Sequence, residues 1–362
     1  MSLATALSAL EPGDRVPVFR KTVEDMEGYV PGEQPRDRRY VKLNTNENPY
    51  PPSPQVLEAL RDGIGDNLRL YPLPMADELR ERAARLYRLT PENVLVGNGS
   101  DELLAILMRA VVDPGDAVAY PVPTYSLYDM LVTVHGGVPM HVPFPPDFSM
   151  PAELTDVAAR LVIVCNPNAP SGTMIPPQQL GPLFRRRDRL VVIDEAYVDF
   201  ADTNCLELVH ELPNVVILRT LSKSYSLAGM RIGLALGAAG VIGELAKVKD
   251  SYNVNRLSII AGAAALRDPR WMEGNVRRIR RTRETLVRRL VELGFEVPPS
   301  QANFVLARRP GEDLEIVFQG LKRRGVLVRY FATPGLRDAL RITVGTDEEV
   351  AVLVRVLEQL VS

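Results

Sequence analysis

Three short runs, residues 161–165, 190–193 and 215–218, are apolar at every position. A strand with one wet face alternates polar and apolar residues. A strand without a polar face has to be covered on both sides, which is the situation of a parallel sheet. Helical patterns stand between and around these runs, at residues 54–63, 76–87, 103–112, 125–134 and 176–184, with further short strands at 94–96, 116–120, 138–142 and 232–236. Ser53 is placed as an N-cap and Pro54 as the first helical residue. The pattern predicts an α/β fold whose large domain has a mainly parallel sheet with helices on both faces.

Helices are expected at 241–249 and 256–266, and one long helix at 271–294. The pattern then becomes α+β: strand 303–307, helix 314–324, strands 326–329 and 340–344, helix 347–360. This predicts a smaller C-terminal domain. The expected division is 1–45 for an N-terminal helix and arm, 46–250 for the large domain, and 251–362 for the linking helices and small domain. An arm with so few apolar residues stays loose unless it docks on the small domain or on a partner subunit.

At 362 residues the chain is long for a single core. Its net charge of −2 gives no global attraction to nucleic acid or acidic membranes, so neither is expected as a partner. The arginines between 277 and 289 fit the solvated face of a helix. Two cysteines make no disulfide framework, which points to a reducing compartment, and three histidines stand in no metal-ligand spacing. No run approaches the roughly 20 apolar residues of a membrane span. The N-terminus lacks a basic segment followed by an apolar one, so the cytoplasm is expected.

In doubly covered sheets, ligands bind beyond the carboxyl ends of the strands. Four polar clusters fall there: Gly97–Asp101, Asn166–Asn168, Asp194–Tyr197 and Thr220–Lys223. Lys223 follows an apolar strand. Desolvation there would make its amine nucleophilic toward a carbonyl. The hydroxyls of Thr220, Ser222 and Ser224, with Arg231, suit a phosphate. So does the turn Gly99-Ser100-Asp101 at a helix start, although such turns also serve as plain connections. An aldehyde and a phosphate on one ligand indicate pyridoxal 5'-phosphate. That cofactor also needs a carboxylate at its pyridine nitrogen, and Asp194 fits, though strand-end aspartates also form turns. Tyr197 is placed to donate to the ring's phenolate oxygen and Tyr125 to stack on the ring, each against an ordinary packing role.

The stretch Leu218-Arg-Thr-Leu-Ser-Lys223-Ser-Tyr-Ser-Leu-Ala-Gly-Met-Arg231, with Asp194-Glu-Ala-Tyr197, Gly97-Asn-Gly-Ser-Asp-Glu102 and Asn303-Phe304, resembles the fold-type I aminotransferases of classes I and II. Asn44-Thr-Asn-Glu-Asn-Pro-Tyr50, Tyr71-Pro and Leu340-Arg-Ile-Thr-Val-Gly-Thr346 point within them to the histidinol-phosphate aminotransferases. The resemblance spans nearly the whole chain. It implies a homodimer with shared active sites, a small-molecule amino donor, a phosphorylated keto acceptor, and a role in L-histidine biosynthesis. It makes Lys223 the residue that bonds the cofactor, with Asp194 and Tyr197 as its catalytic companions. Ser100, Asp101, Ser222 and Arg231 would form the phosphate cup, reached by Tyr71 of the other subunit. Arg341 would bind the anionic end of either substrate, with Arg329, Tyr29 and Asn303 as further substrate contacts.

The family's loop usually reads Asn-Pro-Asn-Asn-Pro-Thr-Gly. Here it is Asn166-Pro-Asn168-Ala169-Pro-Ser-Gly172, so an alanine stands where a donor to the phenolate oxygen is expected. Losing that donor costs about 1.5–3 kcal/mol unless water or Asn168 replaces it. The pKa of the cofactor linkage should then rise. Other readings are an aminotransferase for aromatic or aliphatic amino acids, a pyridoxal-phosphate decarboxylase or lyase acting on a phosphorylated amino acid, and a cofactor-binding protein with little catalysis.

Overall fold

The computed structural model describes residues 18–361. The first part of the expected arm, residues 1–17, lies outside them. A short helix, Lys21–Asp25, is followed by extended chain that ends in β1 (Val41–Lys42). Helix Pro54–Gly63 begins as the sequence indicates, with the Ser53 side chain accepting from the N–H of Gln55.

The central sheet has seven strands: β2 (Val94–Gly97), β3 (Ala117–Val122), β4 (Val138–Pro143), β5 (Leu161–Cys165), β6 (Leu190–Asp194), β7 (Val215–Thr220) and β8 (Gly233–Gly237). Their order is β2-β8-β7-β6-β5-β3-β4. The run from β4 to β7 is parallel, and β8 lies antiparallel to both β7 and β2. Successive residues of the apolar strands serve opposite faces. Val162, Val191 and Val215 join a core with helices 54–63, 77–87 and 256–267, whereas Leu161, Val192 and Val216 join one with helices 100–111, 127–134 and 239–247. A charge at Val192 or Val216 would be buried unpaired, a severe penalty. Register sets Cys165 beside Asp194, and Asp194 beside Leu218, so the carboxyl ends of the three central strands lie level.

The small domain contains β9 (Phe304–Arg308), β10 (Val326–Leu327), β11 (Arg329–Tyr330) and β12 (Ala339–Thr343). The antiparallel sheet β11-β12-β9 packs with helices Pro269–Glu292, Glu315–Arg323 and Asp347–Val361. β10 instead pairs in parallel with β1 of the arm.

Three expectations are corrected. Residues 326–329, read as one strand, divide at Val328. β10 pairs with the arm, while Arg329 turns to pair with Arg341. The strand expected at 116–120 does not stop there, since Pro121 and Val122 extend β3 beside β4. β5 pairs with β3 only at Val118 and Ala119, so a proline beyond them forfeits no ladder bond on that side. The helix expected at 176–184 is a 3₁₀ helix, Pro177–Arg185. Pro182 within it has no N–H for an α-helical bond. Among the described residues no helix is long and apolar enough to cross a membrane.

Candidate active site

Asp194 closes β6 and is buried. Tyr128 donates its hydroxyl hydrogen to Oδ2 at 2.7 Å, and the N–H of Ala196 donates to Oδ1 at 3.2 Å. Burial raises the carboxyl pKa to about 6 in spite of both donors. Lys223 follows β7 at the same edge. Its Nζ lies 3.4 Å from the carbonyl oxygen of Thr45 and 5.8 Å from the Tyr197 ring centre. Burial first, and then the Arg341 guanidinium, lower its pKa to about 8. A lysine so tuned supplies neutral amine near neutrality and can also exchange protons.

On the other side of the edge, helix Ser100–Val111 starts after Gly99 with no side-chain cap, which leaves its first N–H groups for an anion. Arg231, in the left-handed region at φ 52°, brings its guanidinium to 2.9 Å from Asp101 Oδ2. A Cβ on Gly99 would come within 2.6 Å of that guanidinium, and one on Gly233 within 2.6 Å of the Ser100 nitrogen. The two glycines therefore allow the walls to close. The Asp101 carboxylate faces Arg231 and, at 3.3 Å, the Tyr125 hydroxyl. The part of Asp101 suited to a phosphate is its backbone N–H. The Thr220 hydroxyl lies 3.0 Å from both Ser222 Oγ and the Ile232 carbonyl and accepts the Ser222 N–H. It thus braces the turn before Lys223, whereas the sequence reading made it a cofactor contact.

Arg341 comes from β12. It is flanked by Phe304 and Phe331, with ring centres at 5.4 and 5.7 Å, and donates to the Asn44 carbonyl at 2.9 Å. Its Nε is buried without a partner. Burial lowers its pKa, yet a guanidinium stays charged, so this group seeks an anion. Arg329, its cross-strand neighbour, donates to the carbonyls of Val30 and Pro31 and so ties down the arm. Tyr29 meets Tyr125 edge to face, centres 5.8 Å apart. Asn303 donates to the Asn46 carbonyl at 3.0 Å, and its own Oδ1 has no partner.

Asn168 stands differently from the sequence reading. Its Nδ2 donates to Pro123 O and Ser171 Oγ, and its Oδ1 accepts from Thr124. Both amide hydrogens hold the loop together, leaving none for a ring oxygen. Ala169 beside it is buried. Tyr71 is exposed and stacks on Tyr252 with centres 4.4 Å apart.

Residues 44–48 carry contacts the sequence reading did not assign. Asn44 meets Arg341, Thr45 meets Lys223 Nζ, Asn46 meets the Tyr197 hydroxyl, and Asn48 donates to the carbonyls of Lys223 and Ser224. Five polar residues in a row after a strand were a signal for this. The sequence pattern places Tyr128 only within the helix expected at 125–134.

A family model described as "Aminotransferase class I and II" matches residues 38–357. The chain is 44% identical over 344 residues to histidinol-phosphate aminotransferase 1 of Trichormus variabilis, covering 94% of this chain and 98% of that protein. The chain belongs to the class I and II aminotransferases, in their histidinol-phosphate aminotransferase family. The histidinol-phosphate aminotransferase of Syntrophotalea carbinolica is 46% identical to this aminotransferase over 332 residues, 91% of this chain and 96% of that one. The solved structure of the Sinorhizobium meliloti histidinol-phosphate aminotransferase in complex with pyridoxal-5'-phosphate superposes with a TM-score of 0.87 at 27% identity, over 96% of this chain and 99% of that one. The aminotransferase is thus a transaminase with a fold-type I α/β architecture.

Proposed function

We propose that this aminotransferase binds pyridoxal 5'-phosphate and moves an amino group between glutamate and the keto partner of histidinol phosphate, in L-histidine synthesis. One arrangement carries the reading: a buried carboxylate, Asp194, at the carboxyl end of β6, and a desolvated lysine, Lys223, in the turn that follows the neighbouring strand β7 at the same edge. The residues fit the cofactor. The uncapped helix start and Arg231 suit its phosphate, and the unpartnered Asn303 Oδ1 and Arg341 Nε leave polar capacity around the same edge. Lys223 would hold its aldehyde, Asp194 its pyridine nitrogen, Tyr197 its phenolate oxygen, and Tyr125 its ring face. When bound, the cofactor supplies an electron sink for the substrate's α-carbon.

Lys223 Nζ, once free, is the base that takes the α-proton and returns it at the other carbon. The lowered pKa supports this role. Arg341 would take the carboxylate of glutamate or the phosphate of histidinol phosphate. Arg341→Ala is expected to lower kcat/KM for both by about two orders of magnitude or more, mostly through KM. Equal kcat/KM for variant and wild type would remove Arg341 from the site.

Residues 46–250, with helix 256–267 on the same core, form the cofactor-binding domain, and the rest of 251–362 with the arm forms the small domain. The working unit is a homodimer. Exposed Leu68, Leu70, Tyr71 and Leu73 give it an apolar surface, from which Tyr71 would reach the partner's phosphate cup. A substrate panel read by cofactor absorbance tests the whole reading. Glutamate and histidinol phosphate should both change the spectrum. Phenylalanine reacting while histidinol phosphate does not would overturn the substrate assignment, and release of carbon dioxide would replace the reaction class.

A further inference from the structure

Asn46 donates from Nδ2 to the Tyr197 hydroxyl oxygen at 3.1 Å. Its other polar groups are all engaged. Its N–H donates to Thr343 Oγ1 at 2.9 Å, the Thr343 hydroxyl donates to its Oδ1 at 3.1 Å, and its carbonyl accepts from Asn303 at 3.0 Å. The Thr343 bond fixes the amide's orientation, so the NH₂ end is the one facing Tyr197. The residue is buried and sits at φ 55°, a left-handed conformation that asparagine adopts more readily than most residues.

The phenol has one hydrogen. With its oxygen accepting from Asn46, that hydrogen is left to point into the site. Neither of two neighbouring loop residues donates to the same ligand oxygen: Ala169 has no donor, and both amide hydrogens of Asn168 are taken. We infer that Asn46 is a positioning residue: by donating to Tyr197 it turns the phenol's single hydrogen toward the ring oxygen of the cofactor, and so compensates for the donor missing at Ala169. The inference rests on the cofactor assignment above. The anchors of Asn46, Thr343 and Asn303, belong to the small domain, while Tyr197 follows β6 of the central sheet. The bond therefore sets the donor from across the two parts of the fold.

The test is a pH titration of the visible absorbance of the bound cofactor. A ring oxygen held less firmly is more basic, which moves the transition to higher pH. Asn46→Gly keeps the left-handed backbone and deletes the amide. It should raise the midpoint by about 0.5 to 1 pH unit, the equivalent of one ordinary hydrogen bond. That shift should vanish in a Tyr197→Phe background. Asn46→Asp keeps the shape and can retain the Thr343 bonds, but it would accept the phenol's hydrogen, so the midpoint should rise further than with glycine. A role confined to folding would lower the melting temperature and leave the midpoint in place. Unchanged midpoints in both variants, or a glycine shift that persists with Tyr197→Phe, would overturn the inference. If the wild-type protein mixed with pyridoxal 5'-phosphate develops no Lys223-dependent absorbance, the cofactor assignment falls and the inference with it. If the wild type titrates and the variants match it, the inference alone falls.

Discussion

Lys223→Met is expected to lower kcat by about 10⁴-fold or more and, at the same time, to stabilise the cofactor-free protein near neutral pH. The loss follows from removing both the nucleophile and the proton carrier, since positioned proton transfer alone contributes about 10²–10⁴-fold. The gain follows from the lowered pKa of this amine, about 8 in the folded chain against an ordinary 10.5. A folded state that binds a proton less well than the unfolded chain is disfavoured wherever the lysine is charged. The penalty is therefore full below about pH 8, shrinks as pH rises, and is gone above pH 10.5. Methionine carries no such penalty. Urea unfolding of the cofactor-free proteins should show the variant more stable at pH 7, with the difference narrowing by pH 10. A variant within tenfold of wild-type kcat would remove Lys223 from the chemistry. A stability difference independent of pH would show that the amine is not desolvated.

The parts of this design that could be read from sequence are those fixed by local pattern. β5, β6 and β7 are apolar on both faces, and only a doubly covered sheet satisfies that, so their positions and their polar ends followed together. The Ser53 cap was visible because cap, proline and helix are adjacent in the chain. What could not be read depends on contacts between distant residues. Residues 44–48 look like a polar loop until β9, β12 and Lys223 are brought against them. The division at Val328 is imposed by β1, nearly the whole chain away. Tyr128 lies on an apolar helix, where a tyrosine is ordinarily a packing residue, and only the sheet places its hydroxyl on Asp194. Asn168 illustrates the opposite case: a polar residue in a site motif whose hydrogens the loop itself consumes.

Glu195→Ala is expected to destabilise the fold by about 3–5 kcal/mol, a large part of the ~5–15 kcal/mol that holds most domains together. Glu195 directly follows Asp194, but its side chain joins a separate buried ionic network. Its Oε2 accepts from Arg219 Nε at 2.8 Å and its Oε1 from the Cys205 N–H at 2.6 Å. Burial raises the carboxyl pKa, and the Arg219 guanidinium offsets part of that. Arg219 lies on β7, with 8% of its side chain exposed. It also faces Asp199 at 3.4 Å and the Tyr87 ring at 5.3 Å, and Asp199 in turn accepts from Ser224, the residue after Lys223. Alanine at 195 would leave a buried guanidinium with Asp199, at 3.4 Å, in place of the closer Glu195 carboxylate, and the Cys205 N–H with no acceptor. The penalty is thus the stranding of partners, which makes it separable from the value of the pair itself. Replacing both ends with apolar groups of similar size, Glu195→Leu with Arg219→Met, strands neither member of the pair, and Asp199, one-fifth exposed, keeps its bond from Ser224. It should recover most of the loss, because burying an ion pair costs nearly what its attraction returns. Denaturant midpoints for the two single variants and the double variant measure this coupling. A single variant within about 1 kcal/mol of wild type would mean that water reaches Arg219 and that the network is not dry. A double variant as unstable as the worse single would mean that the pair, beyond avoiding a stranded charge, holds β6 and β7 in the register that sets Asp194 beside Leu218.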